Sequence, residues 1–137
     1  MDKDVYVKIT GYQTGDDGQT DINEEEFFGQ YFNKNNMHYV LMEDEKTAKS
    51  ARYKFNHRFM EVIRNGDIHS KLTFDASKCC EAIYRTPYGR MPFVFDTKTV
   101  TLTDNPEEIR IEVCYVIKNN NQVVSNNKTV ISIKNAR

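Results

Sequence analysis

Ile109-Arg110-Ile111-Glu112-Val113-Cys114-Tyr115-Val116-Ile117, then Asn119-Asn120-Asn121, then Thr129-Val130-Ile131-Ser132-Ile133, is the stretch on which the fold turns. Ile109, Ile111, Val113, Tyr115 and Ile117 recur at every second position, so in an extended strand they share one face. Thr129, Ile131 and Ile133 return with the same period. The asparagines between them suit a tight reversal, because Asn tolerates positive φ and bonds its own backbone. This is an amphipathic hairpin with one face for a core.

Working outward, about ten short segments of the same alternation fill the chain, separated by turn signals. Val5, Val7 and Ile9 open the first, and Gly15-Asp16-Asp17-Gly18 turns it. The next, from about Ile22 to Phe32, starts acidic at Glu24-Glu25-Glu26 and holds Gly29, which marks a bulge or sharp bend. Asn33-Lys34-Asn35-Asn36 turns into Met37–Glu43, and residues 44–51 are the one stretch open to a helix. Asn65-Gly66 is the strongest hairpin signal, expected as a type I′ turn with positive φ at both central residues. Pro87-Tyr88-Gly89 ends a later strand. Phe93 and Phe95 share the parity of Thr97, Thr99, Thr101 and Thr103, while Val100 and Leu102 do not; the inward face is expected to switch by a bulge near Asp96. The fold expected is all-β: one domain over residues 1–137, a single antiparallel up-and-down meander closed into a barrel of about eight to ten strands.

Composition agrees with a globular domain: 137 residues, 39 % hydrophobic and 28 % charged, with eight Tyr, eight Phe and no Trp. A domain of about this size buries roughly two-thirds of its unfolded surface and can hold a core without staples. The net charge of −1 conceals an asymmetry. Residues 1–50 carry 5 Lys and Arg against 11 Asp and Glu, whereas residues 51–100 carry 9 against 5. A barrel wraps these segments around one axis, giving either a polarised exterior or simply solvated strand faces. Cys79, Cys80 and Cys114 have no metal spacing, and neighbours in a strand diverge to opposite faces, so all three are expected as free thiols. The charged start Met1-Asp2-Lys3-Asp4 lacks the form of a signal peptide, and no apolar run nears the roughly 20 residues that span a bilayer. The expected setting is cytoplasmic, with no membrane contact.

Chemistry-bearing constellations are sparse. His38, His57 and His69 stand apart, with no Cys or carboxylate at metal spacing, so neither a metal site nor a cofactor is expected. Cys114 has no base beside it in sequence, and no phosphate loop or nucleophile elbow is present. The Glu24–Glu26 triplet splits across two strand faces. In Arg52-Tyr53-Lys54-Phe55, alternation puts the rings opposite the charges, which favours a core over a platform for single-stranded nucleic acid. Arg64 shares parity with Met60 and Val62 and so points inward near a rim. Its partner is then a ligand carboxylate or phosphate, an internal acid such as Glu61 or Glu81, or water at the rim.

Gly29-x-Tyr31-x-x-Lys34-Asn35-x-x-Tyr39-Val40-x-x-Glu43, Arg64-x-Gly66, Phe74, Tyr84-x-Thr86-Pro87-Tyr88-Gly89, Thr97 and Leu102 together resemble the YwiB-like family of small uncharacterised bacterial proteins. The likeness runs over almost the whole chain. It implies a calycin-type barrel, lipocalin-like in shape, and makes residues 44–56 loop and strand. It implies no activity, cofactor or catalytic residue.

The expected function is therefore non-enzymatic binding of a small amphipathic ligand inside the barrel, with Arg64 and Tyr84 as candidate ligand-binding residues. The alternative is a protein- or RNA-interaction module that uses a charge-polarised exterior around a filled interior. Inward Phe and Tyr filling the barrel favour the module; a cavity with a charged group at one end favours the binder.

Overall fold

Ten strands carry the period-two pattern in the structure, a computed structural model that describes residues 1–87 and 89–136, with the side chains of residues 83, 84, 86 and 91 outside the description. They are β1 (Asp4–Gly15), β2 (Thr20–Lys34), β3 (Met37–Asp44), β4 (Lys49–Phe55) and β5 (Phe59–Asn65), then β6 (His69–Asp75), β7 (Cys79–Thr86), β8 (Gly89–Asp104), β9 (Glu108–Asn119) and β10 (Gln122–Asn135). Each strand pairs antiparallel with the next, and β1 pairs with β10 from Val5↔Asn135 to Gly15↔Ser125, closing the meander into a barrel. Among the described residues there is no helix. The expected all-β up-and-down barrel is the architecture found.

The opening hairpin behaves as its pattern dictates. Ile109, Ile111 and Val113 of β9 stand opposite Ile133, Ile131 and Thr129 of β10, and Ile109, Ile111, Val113, Ile131 and Ile133 are buried. Val5 and Val7 from β1, Val40 from β3, Phe55 from β4, Met60 from β5 and Phe95 from β8 join this core. Burying one such side chain stabilises by about 1.5–3 kcal/mol, so the alternation itself drives closure. Tyr53 and Phe55 face inward while Arg52 and Lys54 face out, so the basic-aromatic stretch is a core strand.

Among the local expectations, loop and strand over residues 44–56 is what the structure has, while the Asn65-Gly66 turn needs correction. Residues 44–51 are strand, turn and strand: β3 ends at Asp44, Asp44 Oδ1 accepts the Lys46 amide at 3.0 Å, and Ala48 turns at φ 56° into β4. Asn65-Gly66 is not a type I′ turn. Asn65 stays in the ladder opposite Ser50, a three-residue loop follows at Gly66-Asp67-Ile68, and neither Asn65 nor Gly66 has positive φ. Gly66 instead leaves room for the Lys49 side chain, since a Cβ there would meet Lys49 Cγ at 3.1 Å. The type I′ geometry belongs to Asn35-Asn36 (φ 55° and 63°) and Asn120-Asn121 (φ 52° and 64°). The inward face of β8 does switch by a bulge, between Thr97 and Thr99, just past the expected Asp96.

Two strands leave their neighbours early. β2 pairs with β1 along residues 20–30 but with β3 only from Gln30↔Leu41 to Lys34↔Met37. Gly29 makes that turn possible, because a Cβ there would lie 2.7 Å from the Leu41 carbonyl oxygen. β6 and β7 share three pairs, His69↔Arg85 to Lys71↔Ile83.

Candidate ligand site at the barrel mouth

The end of the barrel that holds the β3–β4 and β5–β6 turns carries a charged cluster. Arg64 shares a face with buried Met60 and Val62 and stands opposite Ala51 of β4. Being last in the row, it reaches the rim half-exposed. One of its Nη2 hydrogens is donated to the Tyr53 hydroxyl at 3.2 Å, and the guanidinium carbon lies 6.0 Å from the centre of the Tyr53 ring. Across the mouth, Glu25 of β2 brings Oε2 to 3.9 Å from Nη2. Glu25 reaches this place because odd positions of β2 face inward: Phe27 packs on the core with its ring 6.1 Å from that of Tyr53.

Arg64, Tyr53, Glu25, Lys49, Met42 and Ile68 line a cleft of about 340 Å³ here, near the lower end of the range for small-molecule sites. Burial pushes the Tyr53 phenol up, against the pull of Arg64, so it stays protonated as a donor at neutral pH. An ion pair at 3.9 Å between half-exposed partners is weak, about 0–1 kcal/mol. Guanidinium presents five N–H donors in a planar fork, so this arrangement is chemically suited to exchange Glu25 for an incoming carboxylate.

The acids expected for Arg64 lie elsewhere. Glu61 is on the outer face, 3.9 Å from Arg52, and Glu81 lines an exterior groove with Lys71 and Arg85. The side chain of Tyr84, the other candidate ligand residue, lies outside the described residues. Glu25 and Tyr53 were not singled out from sequence. Glu25 was visible only as the odd member of a triplet whose faces alternate, and Tyr53 as an inward ring.

Below the mouth, aromatic rings occupy the interior. Phe74, Phe95 and Tyr115 form a cluster with centroid separations of 4.6 to 5.5 Å, and the Tyr115 hydroxyl meets Thr129 Oγ1 at 3.3 Å. Burial pushes the Tyr115 phenol up as well. Thr97, inward at the β8 bulge, is buried with its hydroxyl unpaired among the described residues. On the β10 side, Ser125 Oγ accepts hydrogen bonds from Asn127 Nδ2 at 2.9 Å and Gln13 Nε2 at 3.4 Å.

The base holds a polar cluster around His38, which the sequence reading weighed only as a metal ligand. His38, buried on β3, stacks on Phe55 at 5.1 Å and 7°, and its Nδ1 lies 2.6 Å from the Tyr31 hydroxyl. Its Nε2 lies 3.8 Å from Asp104 Oδ2. The carboxylate favours the proton on Nε2, so Tyr31 donates to Nδ1. Burial lowers the His38 pKa, against the opposing pull of Asp104. The inward parity of His38 with Val40 was the available signal. All three cysteines are free thiols, and no group of three or more His, Cys, Asp or Glu among the described residues is arranged to hold a metal ion. No helix among them is long and apolar enough to cross a membrane.

Comparison with known proteins adds the family and the fold. No curated protein matches the chain. The crystal structure of the ywiB protein from Bacillus subtilis is similar, with a TM-score of 0.82 at 18 % identity over 98 % of this chain and 93 % of that one. At that identity the likeness speaks to fold, and it agrees with the barrel derived from strand register. The domain of unknown function DUF1934 matches residues 7–131, nearly all of the barrel from β1 into β10, and the chain belongs to that family.

Proposed function

We propose that the barrel is a non-enzymatic binder of a small amphipathic molecule carrying an acidic group, held at the mouth by Arg64. The observation behind this reading is a half-exposed guanidinium set over the Tyr53 ring, facing a cleft and engaged, among the described residues, by one phenol and one distant carboxylate. The ligand's acidic head displaces Glu25 and takes the Arg64 fork, with the Tyr53 hydroxyl beside it. Its apolar part lies along Met42, Ala51 and Ile68, which line the same cleft. The aromatic rings packed below count against the expected ligand inside the barrel and toward the interaction module; what supports a binder is the charged cleft at the mouth, so the ligand lodges there and does not thread the axis.

The test is titration with a short-chain fatty acid probe, alongside native mass spectrometry of gently purified protein. A bound species or micromolar binding is expected. Arg64→Ala should weaken it by about 1–3 kcal/mol, the scale of a charge-assisted hydrogen bond. Equal binding by Arg64→Ala, or no binding by the parent protein, refutes the reading.

A further inference from the structure

Among the described residues, positions 20–29 of β2 have a ladder partner on the β1 side alone, since pairing with β3 begins only at Gln30↔Leu41. The direction of the unpaired groups follows from the register. The Tyr31 amide donates to the Lys3 carbonyl at 2.7 Å, so odd positions of β2 bond toward β1. The amides and carbonyls of Ile22, Glu24, Glu26 and Phe28 therefore point away, toward the open side. Residues 20–26 are exposed on both faces, and Phe28 is 70 % exposed. A groove of about 460 Å³ lies where β2 and β3 part, lined by Phe28, Gly29, Leu41, Glu43 and Glu45 among others.

An open edge of this length accepts an added strand by main-chain hydrogen bonding. Its chemistry selects which strand. Glu24 and Glu26 stand on the outer face between Ile22 and Phe28, and Glu43 and Glu45 of the acidic triplet at residues 43–45 line the opposite rim. A second copy pairing through this edge would bring two such triplets together, and like charges across a ladder repel. We propose that the β2 edge is a docking site for an extended basic segment of a partner protein, with Lys or Arg at alternate positions opposite Glu24 and Glu26 and apolar residues opposite Ile22 and Phe28. The edge adjoins the Arg64 cleft, which Glu25 of the same strand lines, but it is the even positions of β2 that dock the segment, and neither reading needs the other.

The probe is the peptide acetyl-Val-Thr-Lys-Thr-Lys-Thr-Val-amide. It should bind the intact protein and slow hydrogen exchange at the amides of Glu24 and Glu26, while those of Glu25 and Phe27, already bonded to β1, change little. Glu24→Lys with Glu26→Lys should weaken binding about tenfold, and the peptide with Glu in place of Lys should restore it. Two variants, one N-methylated at the Val and Lys positions and one at the Thr positions, block the bonding edge of an antiparallel and of a parallel added strand, so one of them should not bind. The proposal is overturned if both bind as well as the parent peptide, which would mean charge attraction without strand addition. It is also overturned if the peptide fails to bind or protects other amides, or if the free protein is a dimer with the Glu24 and Glu26 amides already protected.

Discussion

His38 is a buried imidazole whose surroundings favour the neutral ring. Phe55 covers one face, Tyr31 donates to Nδ1, and burial outweighs the half-exposed Asp104 carboxylate. Its folded pKa lies below the ordinary imidazole value of 6.5, so on acidification the unfolded chain takes up a proton before the folded one. The stability this ring contributes is present above about pH 6.5 and is lost as pH falls through the lower folded value. The urea midpoint should therefore decline below about pH 6.5, and His38→Gln should flatten that decline. Parallel pH profiles for parent and variant would contradict the assignment. Asp96, held to about 2 by hydrogen bonds from Lys98 and Lys118, acts in a separate window. Its stabilisation is lost only as pH drops below the ordinary carboxylate value of 3.8 toward 2, and Asp96→Asn should remove that far-acid component alone.

Turns separate positions that need a glycine from positions that merely hold one. Gly89 has φ 122°, where a side chain is strained, and Gly89→Val should lower stability by at least about 1 kcal/mol. Gly66 has no positive φ, and its tight neighbour is the flexible Lys49 chain, which can swing aside. Gly66→Ala should fall within about 0.5 kcal/mol of the parent by urea denaturation. Asn65-Gly66 looked like the stronger turn signal because dipeptide preference is local. Its outcome was set by a cross-strand commitment, Asn65 to Ser50, that no local pattern carries. The same division runs through the rest of the chain. Strand number, inward parity and the existence of the β8 bulge follow from alternation, which is local. The approach of Glu25 to Arg64 spans β2 and β5, two strands that are not neighbours, and depends on how the sheet curls. Parity put Arg64 inside; only closure supplied its partner.

At the scale of the molecule, the charge asymmetry of the sequence becomes a spatial one. The acidic first third forms β1 to β3, and the basic middle forms β4 to β8, so the two balances occupy different sectors of one wall. The open β2 edge lies in the acidic sector, whereas the Arg64 cleft spans the join between β2 and β3–β5. A closed core beneath the mouth leaves the barrel free to vary its chemistry at that end without disturbing the packing below.

Val5 faces Asn135 directly, at the same end of the antiparallel β1–β10 seam. Tension applied between Asp4 and Asn135 would pull across that seam, loading its hydrogen bonds one after another, because antiparallel bonds lie perpendicular to the strands. Tension between Asp4 and Ser125 would run along the strands and load many bonds at once, in shear. In single-molecule stretching, the first attachment should open the barrel at a markedly lower force than the second, and equal forces would mean that another seam yields first. The joint that completes the wall is thus mechanically a zipper, strong against sliding and weak against peeling.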